Sequence, residues 1–252
     1  LVLILQVILV LPAAVLDLGF EIRILDQTFV LGLANLIAFG LALWIGVRKA
    51  ASPIRVIFPL APVAPRVIFG VLIASFGLAV AGSQIVALID RYLPSGDFLS
   101  ELQKITDPRV SLGGTIFTIV LVAPFTEELF FRGLILGGFL QRYRASMAIL
   151  VSALLFAVLH LNPWQAIPAI AAGLFLGWVF HKTRSLVPCL VGHLANNALA
   201  VAAVAAMPKL QDLPKAEFSA PGFATGVVLA GIGVQLLRRH FRATGVQAEI
   251  AA

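Results

Sequence analysis

The sequence predicts an all-α membrane protein, a polytopic bundle of about eight transmembrane helices with its chemically active groups inside the bilayer. Three observations predict it. Mean hydropathy is +1.03 and 12% of residues are charged, whereas soluble domains carry about 25%. Apolar segments recur at 1–16, 28–47, 67–89, 111–140, 145–160, 165–180, 185–206 and 222–237, most of them near the roughly 20 residues that a spanning helix needs. Of 18 Lys and Arg and 12 Asp and Glu, only Glu127, Glu128 and Arg132 fall deep inside such a segment.

Charge patterning supports the span count. Assigning alternate loops to opposite sides puts Arg48, Lys49, Arg55, Arg66, Arg142, Arg144, Lys182, Arg184, Arg238, Arg239 and Arg242 on one side, 11 in all. The other side holds six (Arg23, Arg91, Lys104, Arg109, Lys209 and Lys215), mixed with nine carboxylates from Asp17 to Glu217. The positive-inside rule makes the richer side cytoplasmic and puts both termini there. That topology also accounts for the net charge of +6 without nucleic acid, because the cations are spread over several loops instead of gathered on one face.

The segments divide the chain into about three N-terminal helices (1–110), a central helical core (111–206), and a last helix with a basic cytoplasmic tail (207–252). Residues 1–16 lack a basic n-region and read as a first span rather than as part of a signal-like segment. Segment 111–140 is longer than a bilayer requires and contains Pro124, so a kink or tilt is expected there. Segments 145–160 and 165–180 are short and are joined by Leu161-Asn162-Pro163-Trp164, which predicts incomplete or slanted spans. Trp44 and Trp164 suit interfacial belts. No strand alternation, long low-complexity tract or obvious repeat competes with this reading. The single cysteine, Cys189, excludes an intramolecular disulfide and a Cys-based metal site, and reads as a small packing residue. Glycines 133, 137 and 138, and the Gly173-x-x-x-Gly177 pair, suit close helix approach, with dimerisation as a weaker use of the pair.

A charge at mid-membrane costs at least roughly 2.5 to 3.5 kcal/mol, so three in one segment call for a function or a compensating structure. Residues four apart share a helix face, so Glu128 and Arg132 form a buried ion pair while Glu127 points elsewhere. That leaves one carboxylate without a cation, free to accept a proton from water. Two histidines also lie in spans: His160, and His193 in His193-Leu194-Ala195-Asn196-Asn197. His193 and Asn197 are again four apart; Asn196 reads as a packing or cavity group. Measured from the nearest basic loop at 1.5 Å per residue, Glu127 and His160 lie about 21 and 22 Å deep and His193 about 14 Å, so all three can meet. A carboxylate, two imidazoles and an amide are the parts needed to hydrolyse an acyl bond, one set activating water and the other stabilising the oxyanion. The same Glu127, His160 and His193 could instead hold a hydrolytic zinc. Taken singly, each of these groups has a plain reading as well: Glu128 and Arg132 as a packing ion pair, Glu127 as a protonated packing acid, and the histidines as interhelical hydrogen-bond donors. Phe130 and Phe131 read as packing residues.

Glu-Glu-x-x-x-Arg at 127–132, Phe-x-x-x-His at 156–160 and His-x-x-x-Asn at 193–197, in that order on successive helices, resemble the three motifs of the CPBP (Abi) family of intramembrane proteases. That family includes the type II CAAX prenyl endopeptidases. The resemblance covers roughly residues 111–206. It implies that Glu127 activates water with help from His160, that His193 and Asn197 polarise the scissile carbonyl, and that Glu128 and Arg132 brace the site. It also implies a membrane-associated peptide or protein substrate, prenylated or not, and a protein embedded in the lipid bilayer. Members have been described both as metalloproteases and as metal-independent glutamate proteases. No cofactor is favoured here, with zinc the alternative, because Glu127 cannot readily be both ligand and base. A His-Glu-x-x-His zinc motif, a Gly-x-Ser-Gly serine motif and a Gly-x-Gly-Asp aspartyl motif are absent from the sequence. The rival classes are a proton-coupled transporter, disfavoured because the polar groups all fall in the second half of the chain, and an idle scaffold or immunity protein, disfavoured because every motif position is intact.

Overall fold

The computed structural model describes residues 27–93, 107, 110–160, 163–206 and 217–245. The expected first span at 1–16 lies outside them. Every regular element among the described residues is helical: α1 (Gln27–Ala50), the single turn α2 (Ile54–Ile57), α3 (Pro65–Tyr92), α5 (Ala145–Leu159), α6 (Pro163–Thr183), α7 (Val187–Ala206) and α8 (Ala220–Ala243). Between α3 and α5 runs α4, a continuous helix built from Leu112–Thr115, a π stretch Ile116–Val122, Ala123–Glu128, a second π stretch Leu129–Leu136, and Gly137–Phe139. Five of these helices, α1, α3, α6, α7 and α8, are long and apolar enough to cross a membrane, and α5 is a shorter apolar helix. The chain is thus an all-α membrane bundle.

Helix limits follow local chemistry. Pro65 opens α3 at a position where its missing N–H costs nothing. Ser111 caps α4 by accepting from Gly114 N, and Ser219 caps α8 by accepting from Gly222 N. Trp164 Nε1 donates to Leu93 O at 2.9 Å and ties the start of α6 to the end of α3. At the opposite end of the bundle the Arg48 guanidinium lies 4.4 Å over the Trp44 ring.

Packing in a bilayer has no hydrophobic drive between helices, so close contact depends on small side chains. The most extensive pairing joins α3 and α8. A Cβ added at Gly77 would run into Ala230 N and Gly226 O, one at Gly226 into Ala81 N, and one at Gly233 into Ala74 N. The two backbones therefore meet along Gly70, Ala74, Gly77 and Ala81 on one helix and Gly226, Ala230 and Gly233 on the other. This seam is not among the glycines that the sequence singles out. Of those, Gly173 meets Ala153 of α5, and Gly177 meets Ile149 of α5 and Leu136 of α4, so the Gly-x-x-x-Gly is used inside the bundle. Gly133 receives Ile57 and Phe58 from the α1–α3 connector, whereas Gly138 has nothing within 4 Å. Cys189 is fully buried, its thiol 3.3 Å from Leu176 O, as a packing residue should be.

The seam makes a testable contrast. Gly77→Leu or Gly226→Leu drives a side chain into the facing backbone, a stronger insult than ordinary overpacking, so each lowers stability by about 3 kcal/mol or more. Gly231→Leu, on the same helix with nothing within 4 Å of its Cβ position, is tolerated. Thermal unfolding in detergent monitored by size exclusion separates the two outcomes.

Candidate active site

The site is organised by the unusual backbone of α4. In the first π stretch Ala123 N–H reaches back to Thr118 O, five residues away. The next residue, Pro124, has no N–H to offer. Ile119 O, which would take Ala123 N–H in α register or residue 124's N–H in π register, is left without a helical donor. Asn197 of α7 supplies one: its Nδ2 donates to Ile119 O at 2.8 Å. A carbonyl orphaned by Pro124 thus fixes the Asn197 amide against α4. Pro124 shifts hydrogen-bond register here, where the sequence suggests a kink.

Glu127 and Glu128 end the α-helical segment Ala123–Glu128. Glu128 is completely buried, and its Oε1 takes two partners: Arg132 Nη1 at 3.0 Å and His193 Nδ1 at 2.8 Å. The Arg132 guanidinium, also buried, is in contact as a charge, but its N–H is not aligned for a hydrogen bond to that oxygen. Its face instead lies 4.8 Å from the Phe156 ring, which covers it from α5. Because an ionised carboxylate only accepts, Nδ1 of His193 is the protonated nitrogen of this contact, and Nε2 turns to the other side. There it lies 3.9 Å from Glu127 Oε2. The two side chains retain 13% (Glu127) and 11% (His193) exposure, in contrast to the completely buried Glu128.

His160 ends α5, with Nδ1 3.0 Å from Phe156 O. A carbonyl accepts, so Nδ1 carries the proton and Nε2 has a free lone pair. The Phe156 ring stands edge-on to His160 at 5.0 Å and to His193 at 5.9 Å, so one aromatic sets the spacing of both imidazoles. Glu127 is within electrostatic reach of His193, His160, Glu128 and Arg132. Glu127, Glu128, Arg132 and His193 are therefore brought into contact, His160 joins them through Phe156, and Asn197 is attached to α4 at Ile119 O, about two turns before Glu127. Phe131 is buried against Phe156, and the half-buried Phe130 packs edge-on to Phe39 of α1.

The sequence reading identified α1 as a span but missed its contact with the site. Asn35 Oδ1 is 3.0 Å from Thr126 Oγ1, the residue before Glu127. The single Thr126 hydroxyl proton goes to Val122 O at 2.8 Å, so the contact is best read with the Asn35 amide turned to donate. The signal was an amide in the middle of an apolar span, overlooked because it carries no charge.

Among the described residues no three His, Cys, Asp or Glu side chains converge as a metal ion would need. His193 Nδ1 is occupied by Glu128 and His160 Nδ1 by a backbone carbonyl. Both contacts leave Nε2 of the ring to face elsewhere, an orientation that serves a zinc-ligating histidine as well as a metal-free one.

Two double-mutant cycles test this geometry. Arg132→Met strands a buried carboxylate and costs about 3–5 kcal/mol, much of which Glu128→Gln in the same chain restores. Asn197→Ala leaves Ile119 O unpaired and costs about 1–3 kcal/mol. In a Pro124→Ala background the restored N–H can serve that carbonyl, and the penalty of Asn197→Ala shrinks. Additive unfolding energies in either cycle would contradict the corresponding contact.

Comparison with known proteins places this arrangement. Residues 110–199 match the family model for type II CAAX prenyl endopeptidase Rce1-like proteins. No curated protein and no solved structure matches the chain. The matched segment spans α4 to α7, the helices that carry every residue of the cluster. Residues 110–199 are thus similar to the Rce1-like CAAX-type endopeptidases, which supports the resemblance drawn from the three motifs.

Proposed function

We propose that the protein is an intramembrane endopeptidase in which Glu127 is the general base, His160 orients the water, and His193 with Asn197 receives the oxyanion. The observation that carries this reading is His193 suspended between two carboxylates. Its Nδ1 is held by the charge-compensated Glu128, and its Nε2 faces Glu127, whose carboxylate has no such compensation. One acid is committed to structure, which leaves the other for chemistry.

In this reading a water between Glu127 and His160 Nε2 gives a proton to the Glu127 carboxylate as its oxygen attacks the scissile carbonyl carbon. The carbonyl electron pair moves to oxygen, and that oxyanion is received on the Nε2 side of His193, in the imidazolium form that carries both ring protons, and by the second N–H of Asn197. Collapse reforms the carbonyl and breaks the C–N bond, with Glu127 returning its proton to the leaving amine. Ser152 Oγ donating to Phe131 O at 3.2 Å and Thr118 Oγ1 donating to Thr28 O at 2.5 Å pin α4 on either side of the acid. Such support is what a preorganised site needs.

The substrate we propose is a peptide presented at the membrane, a prenylated C-terminal Cys-a-a-X peptide being the first to try. Purified protein in lipid should hydrolyse such a peptide or a member of a mixed membrane-peptide pool. Glu127→Gln should lower the rate by about 10²–10⁴-fold, and Asn197→Ala by about 10²–10³-fold, with both proteins still folded. Equal cleavage by Glu127→Gln would sink the mechanism. Loss of activity with a chelator, restored by zinc, would replace the metal-independent route. Transport that depends on a proton gradient, with no hydrolysis, would favour the transporter.

A further inference from the structure

The α1–α3 connector, residues 51–64, is held firmly on one side and is open on the other. Its inner side supplies Ile57, which is buried, and Phe58, and both lie against Gly133, the residue after Arg132. It is also bonded to the α6–α7 turn, Leu186 N to Pro59 O at 2.8 Å and Ser185 Oγ to Ala61 O at 2.6 Å. Its outer side presents Ile54, Val56 and Leu60, each 60% or more exposed, around the exposed Arg55. Water is a poor neighbour for such a surface, and α2 is too short to sit across a bilayer.

What covers it is indicated by charge. The connector lies at the end of the bundle where α1, α6 and α8 finish and α3 begins, the end that collects all 11 cations of the richer loop set. None of the described carboxylates, Asp90, Asp107, Glu127, Glu128 and Glu217, lies there. Arg184, which closes α6 with a left-handed φ of 48°, is exposed at this end. Exposed apolar side chains at a rim where the described charges are all basic match the interfacial region of an anionic leaflet, with apolar groups below the headgroups and cations among the phosphates.

We propose that residues 51–64 form an interfacial foot that seats on anionic phospholipid, inserting Ile54, Val56 and Leu60 beneath the headgroups while Arg55 and its neighbours bind phosphate. Seating the foot holds Ile57 and Phe58 against Gly133 and so steadies the helix that carries Glu127, Glu128 and Arg132. This inference rests on the membrane bundle and not on the proposed hydrolysis, and its test needs no substrate.

Cys189, the only thiol, is a built-in reporter: it is buried in the cluster against which Phe58, Val63 and Ala64 pack. Maleimide labelling of the full chain is followed in nanodiscs of phosphatidylcholine alone and in discs with added phosphatidylglycerol, together with the midpoint of thermal unfolding. Anionic lipid should slow labelling by about tenfold, as local opening is suppressed, and raise the midpoint, both effects fading at high salt. Arg55→Gln should reduce the lipid dependence, and Ile54→Ser with Val56→Ser should speed labelling in both kinds of disc. Should Cys189 stay unlabelled throughout, the midpoints decide. A midpoint and labelling rate indifferent to anionic lipid and to the foot substitutions would overturn the proposal. Protection that grows with protein concentration instead of anionic lipid would also overturn it and assign the face to a second copy of the chain.

Discussion

A carboxylate with no exposure at all, placed among apolar helices, can exist only where its charge is answered on the spot, and Glu128 is such a group. Desolvating it costs several kcal/mol, and an isolated ion pair does not reliably return that energy. Here the answer comes from two elements: Arg132 one turn along α4, and His193 across the interface on α7. The requirement of Glu128 therefore fixes the register of α7 against α4 more tightly than apolar contact would. Arg132 imposes a further requirement, because its guanidinium has few acceptors and rests on the face of Phe156. That ring brings in α5, and with it His160. Compensation of one buried charge thus assembles three helices and orients two imidazoles.

The backbone of α4 repeats the same logic with a neutral group. An unpaired carbonyl in an apolar interior is expensive, and in lipid it has no water to turn to. Pro124 and the π register orphan Ile119 O, and Asn197 answers it. The amide and His193 lie four residues apart on α7 and each is tied to a different obligation of α4, so α7 can neither rotate nor slide without breaking one of them. Departures from α geometry in this helix bracket the acidic pair on both sides, which agrees with the frequent use of π turns at functional sites.

Much of this was legible in the sequence because lipid simplifies the reading. Hydropathy delimits spans within a few residues: 111–140 against an observed Leu112–Phe139, and 185–206 against Val187–Ala206. Charges inside spans are so costly that Glu127, Glu128, Arg132, His160 and His193 announce themselves. The i, i+4 rule gave the Glu128–Arg132 contact correctly because both residues lie on one helix. It could not give the His193–Glu128 contact, which depends on how α7 crosses α4. Nor did it give the π stretches, since the hydrogen-bond register of a helix leaves little trace in its apolar pattern. The α3–α8 seam was missed for a related reason: small residues four and three apart are common in membrane helices, and only the facing helix shows which stripe is used. Asn35 was missed because a neutral amide in a span is affordable, so its presence carries less information than a charge.

The doubled acid itself has a geometric logic. Adjacent helical residues project about 100° apart, so two neighbouring glutamates cannot both enter one ion pair. If Glu128 is drawn into the interior by Arg132 and His193, Glu127 is turned by the same backbone toward whatever opening remains. There it meets the ring nitrogen of His193 that Glu128 does not use. A single glutamate would have to serve as anchor and base at once, and an anchor neutralised by a guanidinium is a poor proton acceptor. In the proposed mechanism, splitting the two tasks between consecutive residues lets burial strengthen the anchor without blunting the base, and it ties the position of the second acid to the rigidity of the first.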